Sequence, residues 1–323
     1  MRRSFVFACM VALLLAVSVP PATAAWPERP VTIIVPYPPA GTSDVLTRLV
    51  GNRLAERLGQ PVVVENRAGG AGNIGTAAAA RTAPDGHTLV LGNVNTFGIN
   101  PAAIERLPYD AVRDFTPVTV IADTPNVILA NPRAPFRTLG ELIAHARANP
   151  GGVSWGSTSN GGSPHMSGEL LKQMAGIDMV HVPYRGAGPM LTDLIGGVVP
   201  VGIDNLPSSA GHIRGGQVRA LAVTTRARWP GLPEVPTVAE SGLAGYEVAA
   251  WFGLLAPANT PRPVVEALQG HVAAILREPE VKDRLLELGA TPAGDTPDEF
   301  RRRIAAEIEK WRAVARAGNI RIE

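Results

Sequence analysis

The sequence predicts an α/β protein built from two doubly wound lobes with a ligand cleft between them. Three observations carry that expectation. Short β-rich runs alternate with longer amphipathic ones along the chain. The strand candidates are nearly continuous in apolar residues, as in sheets covered by helices on both faces, and this points to parallel strands. There are about ten candidates, more than one small sheet uses.

Taken in order, strands are expected over residues 31–35, 62–65, 88–92, 117–121, 126–130, 153–156, 179–182, 199–203, 218–223 and 248–255. The first helix shows its buried stripe as Leu46, Leu49, Val50, Leu54 and Leu58, three or four residues apart. Thr138-Leu139-Gly140-Glu141 and Thr296-Pro297-Asp298-Glu299 read as capping boxes, the second with proline at the first helical position. Ser163-Pro164 and Thr260-Pro261 follow the same cap-then-proline pattern. From Arg262 onward the chain reads as mainly helical, closing on a charged amphipathic helix over 297–315. A crossing between lobes is expected near IADTPN, 121–126, and a return within the Pro- and Gly-rich stretch 229–245. Residues 25–123 with 246–323 then form a discontinuous first lobe, and 124–245 a continuous second one. Ligands bind in such folds between the carboxyl ends of the strands.

The N-terminus reads as an export signal over 1–24. Arg2 and Arg3 precede an apolar run over 5–19, and Ala22-Thr23-Ala24 supplies small residues for cleavage. The run is shorter than the about 20 residues of a membrane span. Arg2-Arg3-Ser4-Phe5 loosely matches a twin-arginine signal but lacks its usual flanks, so ordinary Sec export is expected. Without Arg2 and Arg3 the basic and acidic residues balance, and no Lys/Arg block with interleaved aromatics suggests nucleic acid. The single cysteine, Cys9, lies within the signal, so the mature chain has no disulfide, thiol nucleophile or thiolate metal site. No histidine pair has the spacing of a helical metal site. Export without disulfides fits the bacterial periplasm, and neither cofactor nor metal is expected.

Gly70-Ala71-Gly72-Asn73-Ile74-Gly75 matches the letters of a dinucleotide fingerprint. That fingerprint needs its first glycine at the strand end and an acidic residue about 20 positions on, after the next strand. Here residues 65–69 intervene, and Asp85 falls in a turn before the next strand. The better reading is a tight turn and close-packed helix start that could face the cleft. None of Lys172, Lys282 and Lys310 follows a glycine, which excludes a Walker-type phosphate loop.

Two other loops carry binding chemistry. VPYPPAGTSD, 35–44, joins the first strand to the first long helix: its prolines stiffen it, Gly41 permits unusual backbone angles, and Thr42, Ser43 and Asp44 cap the helix or meet a ligand. WGSTSNGGSPHMSGE, 155–169, brings hydroxyls, an amide and exposed N–H groups before a helix start, which favours an anion without a basic side chain. No serine sits in G-x-S-x-G, so no nucleophile elbow marks a catalytic residue. His181 and Tyr184 flank one strand end and Asp204-Asn205 follow another, where packing and ligand contact both remain open.

In order, VPYPPAGTSDVLTR, GQPVVVENRAGGAGNIG, PDGHTLVLGN, WGSTSNGGSPHMSGELLK, VPYRGAGPMLTDLIGG, DNLPSS, PEVPTVAESG, APANTP and the late Lys310-Trp311 make the chain resemble the Bordetella uptake gene family. These are periplasmic solute receptors of tripartite tricarboxylate transporters, and the resemblance covers essentially the whole mature chain. It implies a type II periplasmic-binding-protein fold, hinged lobes closing on a di- or tricarboxylate, acidic amino acid or aromatic acid, and delivery by a monomer to membrane permease subunits. One carboxylate would be held by Ser157, Thr158, Ser159, Asn160, Gly161 and Ser163, and the other end by Tyr37, Ala40, Gly41 and Thr42. Asn93, Tyr184 and Asp204 would line the same cleft. The chain departs from the family where it has Ala40-Gly41 in place of paired glycines, Ile203 in place of a common phenylalanine, and Tyr37-Pro38-Pro39 opening the first loop. The rival class is an exported enzyme: a hydrolase using Ser163 and His165, or a redox enzyme using the glycine stretch.

Overall fold

The computed structural model describes residues 26–318, so the export signal expected over 1–24 lies outside the described residues. Among these residues ten strands form one sheet: eight follow the path β2-β1-β3-β9-β4-β7-β5-β6, and β10 and β8 each pair to β4 off it. The strands are β1 (Val31–Val35), β2 (Val62–Asn66), β3 (Thr88–Asn93), β4 (Phe115–Ala130), β5 (Ser154–Ser157), β6 (Val180–Pro183), β7 (Val201–Asn205), β8 (Arg219–Val223), β9 (Ala249–Pro257) and β10 (Thr291–Pro292).

The path has a seam. β4 pairs with β9 from Phe115 to Pro125, then with β7 from Asn126 to Ala130 and with β8 from Val127. Two expected strands, 117–121 and 126–130, are therefore one long strand that serves both halves of the molecule. Pro125 accounts for the apparent break. It has no N–H to give a ladder, and it stands where the strand exchanges partners. Pro117 likewise sits at a register shift.

Each half repeats one plan. In the first, β2-β1-β3 are parallel and β9 inserts antiparallel between β3 and β4. In the second, β6-β5-β7 are parallel and β4 inserts antiparallel between β7 and β8. The expectation of purely parallel sheets is corrected: the two strands that link the halves run antiparallel to their neighbours. Apolar composition reports that a strand is buried, not its direction.

The helices are α1 (Thr42–Leu58), α2 (Asn73–Ala80), α3 (Asn100–Ala103), α4 (Leu139–Ala148), α5 (Ser163–Ala175), α6 (Ala187–Gly196), α7 (Leu206–Arg214), α8 (Arg262–Ile275), α9 (Pro279–Leu288) and α10 (Pro297–Gly318). Of the α1 stripe, Leu46, Val50 and Leu54 are fully buried, and Leu49 and Leu58 pack partly buried against them. Both threonines cap their helices; the Glu299 carboxylate returns the bond to Thr296 N at 2.8 Å, whereas that of Glu141 accepts from Arg137 N at 2.6 Å instead of Thr138 N. Glu141 N donates to Thr138 Oγ1 at 3.2 Å and Glu299 N to Thr296 Oγ1 at 3.3 Å. The two other expected caps differ. Ser163 is the first helical residue of α5 behind an extended Gly162, and Thr260 turns its hydroxyl back to the Pro257 carbonyl at 2.8 Å. Among the described residues no helix is long and apolar enough to cross a membrane.

Candidate functional site

The carboxyl ends of β1, β3, β5, β6 and β7 converge on one cleft. At its floor lies a cavity of about 50 Å³ lined by Tyr37, Pro38, Gly41, Thr42, Ser43, Asn93, Asn95, Thr158, Ser159, Gly186, Ala187, Asp204 and Asn205. A second cavity of about 850 Å³ opens outward from it. The two share Tyr37, Pro38, Thr158, Ser159 and Gly186.

The β1–α1 loop is held in place by Asp44. Its carboxylate accepts from Ala40 N at 3.0 Å, Arg48 Nε at 3.0 Å and Asn66 Nδ2 at 2.9 Å. Burial opposes the Asp44 charge, but the bonds from Arg48, Ala40 and Asn66 outweigh it and hold the carboxyl below its usual range. The unusual backbone angle expected at Gly41 falls one residue earlier. Ala40 has φ 66°, while Gly41 is extended at φ −79°. Ala40 is exposed and stands outside the inner cavity, whereas Gly41, Thr42 and Ser43 line it. The first-turn amides of α1 thereby open toward the cavity, where an anion complements the helix dipole.

Asn93 closes β3. Its Oδ1 accepts from the Tyr37 hydroxyl at 3.1 Å, Asn95 N at 3.0 Å and Thr96 N at 3.2 Å. Burial pushes the Tyr37 phenol up to about 12, so it stays a neutral donor.

The β5–α5 loop divides its residues between ligand-facing and structural positions. Thr158 and Ser159 line the inner cavity, and Asn160 lines the outer one. Ser157 is fully buried, its Oγ 3.0 Å from the Ser159 carbonyl and 2.7 Å from His181 Nε2. Gly161 N donates to His165 Nδ1 at 2.9 Å. The His165 and His181 rings stack with centroids 4.1 Å apart, and the fully buried Trp155 packs against His181 at 4.5 Å. Burial first, then neighbouring charge, depresses both imidazoles to about 4, so each is a neutral strut under the loop.

Ser163 is buried and meets Asn126 and Asn205 through its hydroxyl, while its amide donates to Asn95 Oδ1 at 2.7 Å. That geometry removes the expected Ser163/His165 pair, because His165 faces Gly161 instead. The helix start that lines the cavity from the second half is that of α6, through Gly186 and Ala187.

Among the described residues Asp204 is the one acidic side chain in the inner cavity, and no Lys, Arg or His lines it. Its Oδ2 accepts from Ser208 Oγ at 2.6 Å and its Oδ1 from Asn205 N at 2.8 Å. Thr42 Oγ1 in turn donates to Ser208 at 3.2 Å, which ties the first half to the second. Burial pushes the Asp204 carboxyl up to about 7 despite those two donors. Tyr184 lines the outer cavity; its hydroxyl donates to Asp193 at 2.8 Å, and burial with the Asp193 charge raises it to about 12.

Asn95 and Gly186 were not among the expected site residues; Ser43 and Asn205, for which the sequence permits either capping or ligand contact, do line the cavity. Asn95 stands two residues beyond the end of β3, which is the signal that would have found it.

Comparison with known proteins identifies the family. Residues 46–320 match the family model described as the tripartite tricarboxylate transporter family receptor. The chain is 38% identical over 301 residues to protein BugT of Bordetella pertussis, covering 93% of this chain and 92% of that protein. It is similar to the solved structure of Rhodopseudomonas palustris Rpa4515 with adipate, at TM-score 0.89 and 41% identity over 92% of this chain and 99% of that one. It is also similar to MatC from Rhodopseudomonas palustris with bound malate, at TM-score 0.84 and 34% identity over 90% of this chain and 99% of that one. The chain has the two-lobed periplasmic-binding fold and belongs to the Bordetella uptake gene family, the solute receptors of tripartite tricarboxylate transporters.

Proposed function

We propose that the protein captures a small organic carboxylate by closing its lobes and hands it to the membrane permease subunits of a tripartite tricarboxylate-type transporter. The ligand classes are di- and tricarboxylates, acidic amino acids and aromatic acids. Adipate and malate bound to the two similar structures support that range. The protein acts as a non-catalytic monomer in the periplasm after loss of residues 1–24. Its lobes comprise residues 25–123 with 246–323, and 124–245. The hinge runs through β4 at Pro125 and through the start of β9, where Val248 N still bonds the Thr224 carbonyl of the second half at 2.9 Å.

One observation carries the reading. The inner cavity is lined by the β1–α1, β5–α5 and β6–α6 loops, with hydroxyls and the starts of α1 and α6, and among the described residues no basic side chain lines it. Such a site stabilises a carboxylate through backbone dipoles, and Thr42, Ser43, Thr158 and Ser159 are the contacts it offers. The buried Asp204 takes part in its protonated form, as a donor to the ligand. Thermal unfolding of ligand-stripped protein against a panel of carboxylates tests this. A bound acid raises the melting temperature by mass action, and a panel in which no acid does so overturns it.

A further inference from the structure

We infer that the outer cavity is a second anion site, which holds the far carboxylate of an elongated dicarboxylate between Arg106 of the first lobe and Arg185 of the second. This rests on the carboxylate reading above and assigns its second subsite.

Size gives the first argument. A buried water needs about 10–15 Å³ of such space. The inner cavity, at about 50 Å³, therefore has room for one carboxylate and its nearest carbon. A longer acid continues past Tyr37, Pro38, Thr158, Ser159 and Gly186, the residues both cavities share, into about 850 Å³.

Charge gives the second. Arg106 and Arg185 both line the outer cavity, and among the described residues no acidic one does. Both are exposed, and among the described residues neither forms a salt bridge or a side-chain hydrogen bond, unlike Arg48, Arg67, Arg113 and Arg303. Two unpaired guanidinium groups thus line one cavity, one from each lobe, where closure can bring them to bear on the same anion. Beside the polar Asn73, Thr158, Ser159 and Asn160, the lining offers an apolar set: Pro36, Pro38, Pro183, Ile104 and the Tyr184 ring. The ligand class that matches is an α,ω-dicarboxylate with a hydrocarbon spacer.

The glycine stretch acquires a role in the same place. Gly69, Gly70, Ala71 and Gly72 all line the outer cavity, and all four have positive φ, at 133°, 54°, 52° and 91°. A side chain added at Gly72 would meet Thr96 Cγ2 at 2.7 Å and the Tyr37 hydroxyl at 2.9 Å. The turn therefore presses backbone against Tyr37 and forms the wall where the two cavities meet.

Calorimetric titration of stripped protein with α,ω-dicarboxylates of four to ten carbons, each beside the monocarboxylate of equal length, tests the inference. Arg106→Gln and Arg185→Gln should each lower the preference for the best dicarboxylate over its monocarboxylate by about tenfold. The double variant should abolish that preference. Arg262→Gln, a charge-matched change on α8, should leave the ratio within about twofold. An unchanged ratio in both cleft variants overturns the second site while leaving the receptor reading intact. Absence of binding by any acid to the unaltered protein overturns the receptor reading and this site with it.

Discussion

The Asn95 side-chain oxygen accepts the Ser163 backbone N–H at 2.7 Å, joining the end of β3 in one half to the start of α5 in the other. The amide it occupies is the one a helix start would otherwise offer to an anion. Asn95 therefore latches the lobes and caps α5 at once. Asn95→Ala removes one inter-lobe hydrogen bond of about 1 kcal/mol, so ligand affinity should fall about fivefold. Small-angle scattering of the unliganded variant should show a larger radius of gyration than the parent. Unchanged affinity and radius would contradict the latch.

Asp204 should make binding and stability fall as pH rises. Its carboxyl is raised by burial from 3.8 to about 7, so the folded state holds a proton that the unfolded chain releases. Stability from this group is complete below about 4 and lost as pH climbs through about 7, on the order of 4 kcal/mol at about 1.4 kcal/mol per unit. Asp204→Asn should flatten that fall in denaturant titrations at pH 4 to 8, and carboxylate affinity should lose its decline near pH 7. A variant that keeps the parent's pH dependence would show that Asp204 is not its source.

The histidine struts act with the opposite sign. His165 and His181 are depressed to about 4, so the folded state prefers them neutral. Their contribution is complete above about 6.5 and lost as pH falls through about 4. Protonated His165 would turn a donor toward the Gly161 amide that it now accepts at 2.9 Å. Nitrogen-15 shifts of labelled histidine should show neutral rings down to about pH 5, and His165→Phe should speed hydrogen exchange at Gly161. Ordinary titration near 6.5 with a freely exchanging Gly161 amide would refute the strut.

Ala40 stands at φ 66°, where an L side chain costs about 1–2 kcal/mol. Glycine relieves that cost but adds freedom to the unfolded chain, offsetting part of it. Ala40→Gly should stabilise the protein by up to about 1 kcal/mol in denaturant melts, and destabilisation would contradict the strain.

Much of this architecture was legible in the residues, for reasons that particular elements make plain. Val31–Val35 and Thr88–Asn93 are buried almost throughout and read as strands directly from composition. Strand direction was not legible, because β9 and β4 look like their parallel neighbours and owe their reversal to the crossing between halves. Pro125 read as a boundary and is instead a seam within one strand. At the site, Tyr37, Thr42, Thr158 and Asp204 were accessible from their places after strand ends. The inward commitment of Ser157, Gly161 and Ser163 was not, since it depends on His181, His165 and Asn95, which are distant in sequence or unremarkable in type. Hydroxyls and glycines before a helix announce a polar loop; only the packing beneath decides which of them face a ligand.

A crystal structure of the protein with its best-binding acid tests the central claim most directly. The account predicts one carboxylate in the inner cavity, with its oxygens within hydrogen-bond distance of the Thr42 or Ser43 group on one side and the Thr158 or Ser159 group on the other. An acid bound elsewhere, or held by only one lobe, would contradict it.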